Sequence, residues 1–589
     1  MLYKRTHMCG ELRLADEGKN VVLNGWVAKA RSLGGLVFVD LRDKTGITQI
    51  TFNEDAPADV VEAAKGLSRE YCIGVKGVVK ERSSKNPNIS TGDVEVFASD
   101  LTVYSTSETP PIYIKDDDNV NDDLRLKYRY LDLRKNKMQR NLTFRHKVMK
   151  CTRDYFDEQG FTEVETPVLI KPTPEGARDY IVPSRVHNGY FYALPQSPQM
   201  FKQLLMVGGT DRYVQIAKCF RDEDLRADRQ PEFTQIDLEM SFAGVDDVIE
   251  MQEGFLKRIM KEVKGIDIET PFPRMTYAEA MERYGSDKPD TRFDIELIKL
   301  NDVFKDCSFE LFSNTLAEGG DIRGICVPGA ASDYSRKKID KLTNEVKHYG
   351  ARGLIWIRNE ASGISSSIGK YFSEDELKAV LEKCGAAEGD IVFIVSGTSK
   401  VTYDSLGFLR RRIAGQLGML DDNQYNFLWV VDFPMFEQDE EGNIKATHHP
   451  FTQPKLDELY KLDNGDILSL NANAYDIVLN GVELGGGSVR IHDKDLQKKM
   501  FQVLGLSDEE CQVKFGFLIE AFKYGAPPHA GLAYGLDRLV MLLLGEKSIR
   551  EVIAFPKNQN AECPVCEAPA PAGEGQLEEL GIELAPSEE

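Results

Sequence analysis

The chain has no apolar run approaching the ~20 residues of a membrane-spanning helix. Its opening MLYKRTHMCGELRLADEG lacks the apolar core of a signal peptide. A soluble, cytoplasmic protein with no membrane contact is expected. Positive charge is in deficit: the net charge is −22, which argues against nonspecific affinity for nucleic acid but leaves room for a local basic surface. Cysteine is sparse and scattered, and the one CxxC pair, Cys563 and Cys566, has no second pair beside it. A tetrahedral zinc site needs four ligands, so reduced thiols are the better reading. Residues 290–420 contain no phosphate loop and no nameable catalytic constellation. From Ala561 onward there is no Lys or Arg but eight Glu, which reads as a mobile acidic extension.

At 589 residues the chain exceeds one core; at about 100–200 residues per domain it should hold three to five. Its 42% hydrophobic and 29% charged residues are those of an ordinary globular protein. The most informative segment is Tyr213–Phe242. Val214, Ile216 and Phe220 alternate with Gln215, Ala217, Cys219 and Arg221. Thr234, Ile236, Leu238 and Met240 alternate with Phe233, Gln235, Asp237 and Glu239. A period of two marks strands with one buried face. A cation, carboxylates and an aromatic ring therefore share one wall. Charge alone would fit a surface hairpin rich in ion pairs; the aromatic on the polar side favours a site.

Residues 1–105 read as short strands, VVLNGWVAKA, GLVFVDLRD, GITQITF, YCIGVKGVVK, GDVEVFAS and LTVYS, with VVEAAKGLS as a helix. Short, even strands suggest a Greek-key barrel, and five with a helix make an oligonucleotide/oligosaccharide-binding (OB) fold. Trp26, Arg31, Phe38 and Phe52 are candidates for stacking and holding unpaired bases, with Trp26 better read as core. TSETPPIYIKDDDNVNDD is a linker by composition. Arg125–Arg153 holds eleven Lys/Arg against one acid, Asp132; a solvated helix face and a phosphate-contacting hinge both fit. One helix is expected from this stretch to Gly160. Lys202 falls early in the helix after Ser197-Pro198, where a cation opposes the helix dipole unless an anion is near.

Asn480-Gly481 is a two-residue hairpin turn. With regular pairing Val478 faces Glu483 and Asp476 faces Gly485, so Asp476 and Glu483 lie diagonally on one face within reach of one ion. Two carboxylates on an apolar strand pair need neutralising, and Mg²⁺ bridging substrate phosphates fits oxygen ligands. Leu536, Leu539, Val540, Leu543 and Leu544 form a buried helical stripe. Arg538 lies in that helix's first turn, where helix-start amides and an arginine make a phosphate site.

FRDEDLRADRQPEFTQID resembles the second signature motif of class II aminoacyl-tRNA synthetases, in the form of the bacterial-type aspartyl enzymes. HAGLAYGLDRLVMLLLG resembles the third, and the helix and strand leading to Pro167 the first. The resemblance covers almost the whole chain in the right order. It implies an α+β multidomain fold: an OB-fold anticodon-binding domain (1–105), a linker or hinge (106–140), and a catalytic antiparallel sheet flanked by helices in two parts (141–289 and 421–560). Between these lies an inserted α/β domain (290–420), and the acidic extension (561–589) follows. It implies a homodimer and the partners ATP, L-aspartate and tRNA(Asp), with Mg²⁺.

The resemblance also assigns roles. Arg221 would bridge the aspartate carboxylate and the ATP α-phosphate, and Arg538 would hold the γ-phosphate. Phe233 would stack on adenine, with Asp222, Glu223, Gln230, Glu483, Gly535, Leu536 and Asp537 also at the nucleotide. Glu175, Ser197, Gln199 and Asp237 would hold the substrate ammonium. Lys202 and Arg490, helped by His449, would grip the side-chain carboxylate, and these two cations are expected to want an anion. Arg31, Phe38 and Gln49 would read anticodon bases. Leu33 and Lys85 look like the tRNA(Asp)-restricted type, lacking the His or Gly of enzymes that also charge tRNA(Asn). Two rivals stand beside this: an enzyme activating aspartate or asparagine without tRNA, which would not need the barrel, and a non-catalytic module, which would not need Arg221, Asp476, Glu483 and Arg538 together.

Overall fold

The computed structural model describes residues 2–116, 119–172, 176–225, 227–439 and 441–585. Near the N-terminus five strands, Asn20–Leu33, Leu36–Asp43, Gly46–Phe52, Cys72–Glu81 and Val94–Ser105, close into a barrel. The helix Ala58–Lys65 follows the third strand, as an OB fold requires. GDVEVFAS and LTVYS, expected as two strands, are one long bent strand. Its register slips opposite Lys76/Gly77, and a bulge of that kind lets a strand turn a barrel corner unbroken. Phe52 is fully buried in the barrel core, so it holds no base. Trp26 is only half-buried and lies under the Arg134 guanidinium, 4.7 Å from its ring centre. It belongs to the barrel's junction with the next segment rather than to the core.

The basic stretch forms three helices, Asp122–Lys127, Arg129–Asp132 and Asn136–Glu158. Several of its cations are neither solvated nor free for phosphate. Arg129, 1% exposed, pairs with Asp132 at 2.7 Å and donates to the carbonyls of Arg550, Ile553 and Ala554. Arg125 and Lys137 pair with Glu551 and Glu546. Arg134 reaches Glu70 of the barrel at 2.9 Å. These residues stitch the hinge to both neighbours.

The largest unit is built on an eight-stranded sheet. Its order is Arg274–Thr276, Phe427–Val431, Ala474–Leu479, Val482–Val489, His529–Gly535, Glu232–Ser241, Arg212–Phe220 and Thr162–Glu163. Six central strands are antiparallel, and each edge carries a short parallel one. One face is apolar: Ile236, Leu238, Leu532, Tyr534 and Ile477 pack against Phe156, Phe255, Leu256 and the Leu539, Val540, Leu543 stripe of helix Leu536–Leu544. Burying each such side chain contributes about 1.5–3 kcal/mol, so the face of each strand residue is strongly specified. The opposite face is left polar.

Between strands Arg274–Thr276 and Phe427–Val431 a separate five-stranded sheet intervenes, ordered Leu297–Lys299, Asp321–Val327, Ile391–Gly397, Ile355–Glu360, Gly363–Ser366. Every pairing in it is antiparallel, so it is α+β rather than the expected α/β. The strand–helix–strand pattern is present, but Ile391–Gly397 inserts between the two parallel strands and opposes both. No described helix is long and apolar enough to cross a membrane.

Candidate active site

Strand pairing across the polar face brings distant residues into two rows. Asp237 pairs with Ala533, Ala533 with Gly486, and Gly486 with Asp476. In the next row Glu239 pairs with Gly531, Gly531 with Ser488, and Ser488 with Ala474. With strands ~4.8 Å apart, Asp237 and Asp476 stand roughly 14 Å apart over a floor of small residues. The floor must stay small: a Cβ on Gly531 would overlap the Glu239 carboxylate, and one on Gly486 the Asp476 carboxylate. Above it lies a cavity of about 550 Å³, whose walls include Ser197, Gln199, Arg221, Phe233, Asp237, His449, Asp476, Glu483 and Arg538.

At the Asp237 end four charges are buried together. Lys202 Nζ lies 2.7 Å from Asp237 and 3.2 Å from Glu239. Arg490 Nε donates to Glu239 at 3.0 Å, and its Nη1 meets Ser488 Oγ at 2.7 Å and His449 Nε2 at 2.5 Å. Two cations thus meet two carboxylates, so the expectation that Lys202 and Arg490 lack an anion is corrected. Strand Glu232–Ser241 supplies both partners, because a period of two puts Asp237 and Glu239 on one face. Burial and then the Glu239 charge push the Asp237 carboxyl up, against Lys202. For Glu239 burial is outweighed by Arg490 and Lys202, which hold it below the usual range. Burial and the Arg490 charge push His449 well down, so its imidazole is neutral.

Among the described residues, four polar atoms of the cavity lining are buried without a hydrogen-bond partner: Arg221 Nε, a donor, Asp237 Oδ2, an acceptor, and Thr447 Oγ1 and His448 Nδ1. The Arg221 guanidinium lies over the Phe233 ring at 5.1 Å. Ser197 Oγ accepts from the Gln199 amide at 3.2 Å, and the Gln199 side chain donates to Gln203 at 3.1 Å. Glu175 lies outside the described residues.

At the other end Asn480 and Gly481 both take positive φ, 51° and 78°, the conformation of the expected turn. The register beyond it differs from regular pairing. Leu484 is an extra residue taken into the core, so Gly486 rather than Gly485 opposes Asp476. The two carboxylates still converge, since the Cβ position of Gly486 lies within 4 Å of both. Burial and the Asp476 charge raise the Glu483 carboxyl, while Lys288 Nζ stands 3.8 Å away. An underneutralised oxygen pair of this kind fits a divalent cation. Arg538 Nη1 donates to the Glu483 carbonyl at 2.8 Å, and Nη2 meets Asp228 at 3.2 Å.

Other expected residues take supporting positions. The Asp537 carboxylate is committed to Arg145 at 2.5 Å and the Thr234 amide at 2.8 Å. Leu536 is fully buried in the core, leaving only backbone at that helix start to face a ligand, beside Gly535 on the cavity wall. Asp222 turns to Arg178 at 3.4 Å. Gln230 holds the Lys557 backbone with both ends of its amide, at 3.1 and 2.7 Å. Glu223 pairs with Arg229 at 3.0 Å. Glu239 and His448 were missed. Glu239's place on the Asp237 face was the available signal. His448, 3.4 Å from Asp476 and held up by it against burial, had only its adjacency to His449.

On the barrel, Arg31 pairs in register with Phe38, and its guanidinium reaches Asp40 and Gln49 at 3.3 and 3.5 Å. Gln49 is held further by Arg82 and Glu95. Leu33 is 73% exposed at the first hairpin. Lys85 pairs with Glu81 at 2.9 Å.

An antiparallel six-strand core with a polar face, joined to an OB barrel, defines a class II synthetase catalytic unit with a nucleic-acid-binding domain. Residues 121–559 match the model of tRNA synthetases class II (D, K and N), and residues 21–104 that of the OB-fold nucleic acid binding domain. The chain belongs to this class II tRNA synthetase family. An aspartate–tRNA ligase of Ruminiclostridium cellulolyticum is 55% identical over 99% of this chain and 98% of its own. An aspartate–tRNA(Asp/Asn) ligase of Caldanaerobacter subterraneus is 54% identical over 99% and 98%. An aspartyl-tRNA synthetase of Entamoeba histolytica, 20% identical, shares the fold over 94% of this chain and 92% of its own at a TM-score of 0.59.

Proposed function

We propose that the protein is an aspartate–tRNA ligase. It joins L-aspartate to ATP as aspartyl-adenylate, releases pyrophosphate, and passes the aspartyl group to the 3′-terminal adenosine of tRNA(Asp). The observation that carries the reading is that two of the unpartnered buried atoms, Arg221 Nε and Asp237 Oδ2, are a charged donor and a charged acceptor. A donor and an acceptor facing one cavity match the carboxylate and ammonium of an amino acid.

Positioning and charge supply the catalysis. Asp237 takes the ammonium, with Ser197 and Gln199 beside it. Lys202 passes from Asp237 to the substrate's side-chain carboxylate, with Arg490 and His449 fixing its far side. The buried tetrad gains one cation and one anion, so its charge stays balanced. Asparagine would add the ammonium alone and leave a buried cation uncompensated, at about 3–5 kcal/mol. Arg221 holds the α-carboxylate against the α-phosphate for in-line attack, Phe233 stacks on adenine, and Arg538 receives the terminal phosphate. Asp476 and Glu483 would hold Mg²⁺, which neutralises charge on the leaving pyrophosphate.

Gly486→Ala should push the Asp476 carboxylate aside and raise the Mg²⁺ concentration for half-maximal pyrophosphate exchange several-fold; an unchanged Mg²⁺ curve would remove Asp476 from the metal site. The barrel cluster of Arg31, Phe38, Gln49 and Arg82 suits base reading. With Leu33 and Lys85 at the specificity positions, the tRNA(Asp)-restricted type is our reading. Homodimer formation and a cytoplasmic place accompany it through the family resemblance.

The test is ATP–pyrophosphate exchange with aspartate and with asparagine, then charging of purified tRNA(Asp) and tRNA(Asn). Exchange with aspartate alone and charging of tRNA(Asp) alone are expected. Substantial aspartylation of tRNA(Asn) would overturn the restricted type, and absent exchange would overturn the ligase.

A further inference from the structure

The CxxC pair follows Lys557, whose backbone is held by Gln230 of the cavity wall. Cys563 is 7% exposed and Cys566 exposed. The turn between them is closed by the Cys563 amide donating to the Ala568 carbonyl at 2.7 Å, with Glu567 at φ 57°. Burial would raise the Cys563 thiol, but the neighbouring Cys566 and Val565 groups outweigh it and hold it below the ordinary range. Elsewhere burial raises the thiols of Cys9, Cys151, Cys326 and Cys384. Among the described residues no group of three or more His, Cys, Asp or Glu could hold a metal. Two cysteines three residues apart on one closed turn, one buried and one exposed, make a redox pair.

The pair is also wired to the site. Both sulfurs lie within electrostatic reach of Lys557. The Lys557 backbone is what Gln230 grips, and its ammonium holds Glu232 at 2.5 Å, next to Phe233. A tight turn from Asn558, whose amide donates to the Glu562 carbonyl at 2.9 Å, joins that anchor to Cys563. Little slack separates the sulfurs from a wall of the cavity.

We propose that Cys563 and Cys566 form a reversible dithiol–disulfide site that acts on nucleotide binding through Lys557 and Gln230. With a peroxide as oxidant, the Cys563 thiolate attacks one oxygen, the O–O bond breaks, hydroxide leaves and a sulfenic acid remains. The Cys566 sulfur then attacks the sulfenic sulfur, forming the S–S bond and releasing water. Two electrons leave the sulfurs and reduce one peroxide to two waters overall. A small thiol reverses the step by exchange. Closing the ring draws Cys566 inward and removes the thiolate facing Lys557, shifting the anchor of Gln230.

The coupling rests on the nucleotide reading of the cavity, and the chemistry does not. Full-length reduced enzyme is treated with hydrogen peroxide, free thiols are alkylated, and peptides are weighed. The KM for ATP in pyrophosphate exchange is measured before oxidation, after it, and after dithiothreitol. The expected result is loss of two hydrogens in the peptide holding Cys563 and Cys566, with a severalfold change in that KM. Dithiothreitol should reverse both, and Cys566→Ser should show neither. Absence of the disulfide, a disulfide without a change in KM, or the same change in Cys566→Ser would each overturn the proposal. Because the mass is read without activity, failure of the redox site and failure of the nucleotide reading give different results.

Discussion

Lys202→Leu is expected to lower the stability of the fold by about 3–5 kcal/mol as well as to abolish aspartate activation. Lys202 is 1% exposed and is the close cation of Asp237. Without it a buried carboxylate stands beside Glu239, with Arg490 left for both. The pH dependence has a definite sign. Asp237 already has a raised carboxyl in the fold, and removing Lys202 raises it further. A group raised on folding stabilises the native state below its unfolded pKa and loses that contribution as pH rises through the folded value. The deficit of the variant should therefore be largest at neutral pH and shrink towards the carboxylate range. Asp237→Asn added to Lys202→Leu removes both members of the pair and should recover most of the stability without recovering exchange. Urea unfolding of wild type, single and double variants at pH 5.5 and 7.5 checks this. A single variant as stable as wild type at neutral pH would show that Lys202 does not neutralise the tetrad.

Arg221→Gln should behave in the opposite way, with a large loss of rate and little loss of stability. Its Nε has no partner in the protein, and its guanidinium stacks on Phe233, a contact of about 0.5–2 kcal/mol. If it bridges carboxylate and α-phosphate, its loss removes a preorganised donor to developing charge, about 10²–10³-fold in rate. Aspartate-dependent pyrophosphate exchange should fall by that factor while the melting temperature moves by only a few degrees. A drop of less than tenfold would remove Arg221 from the bridging role. The two variants separate a residue that balances charge inside the fold from one whose partner is the substrate.

The legible parts of the site were those carried by short-range periodicity. Alternation placed Phe233, Gln235, Asp237 and Glu239 on one wall, and strand pairing puts their neighbours there too. The Asn480-Gly481 turn and the Arg538 helix start were equally local. The bulge at Leu484 was not, because a one-residue slip is decided by which side chain the core accepts. Arg125, Arg129 and Lys137 were not legible either: beside the local Asp132, their partners at 546–554 lie more than four hundred residues away.

Local sequence determined that the Tyr213–Phe242 hairpin would have one polar wall, that the OB barrel would precede the catalytic sheet, and that two carboxylates would meet near Asn480-Gly481. These follow from steric and hydrogen-bonding rules that act over a few residues. Tertiary structure alone decided how charges are shared. Lys202 meets Asp237 across 35 residues and Arg490 meets Glu239 across 251, so the cations read as awaiting an anion already have two. Charge balance in a buried site is a sum over every group within a few ångströms, and no window of sequence contains that sum.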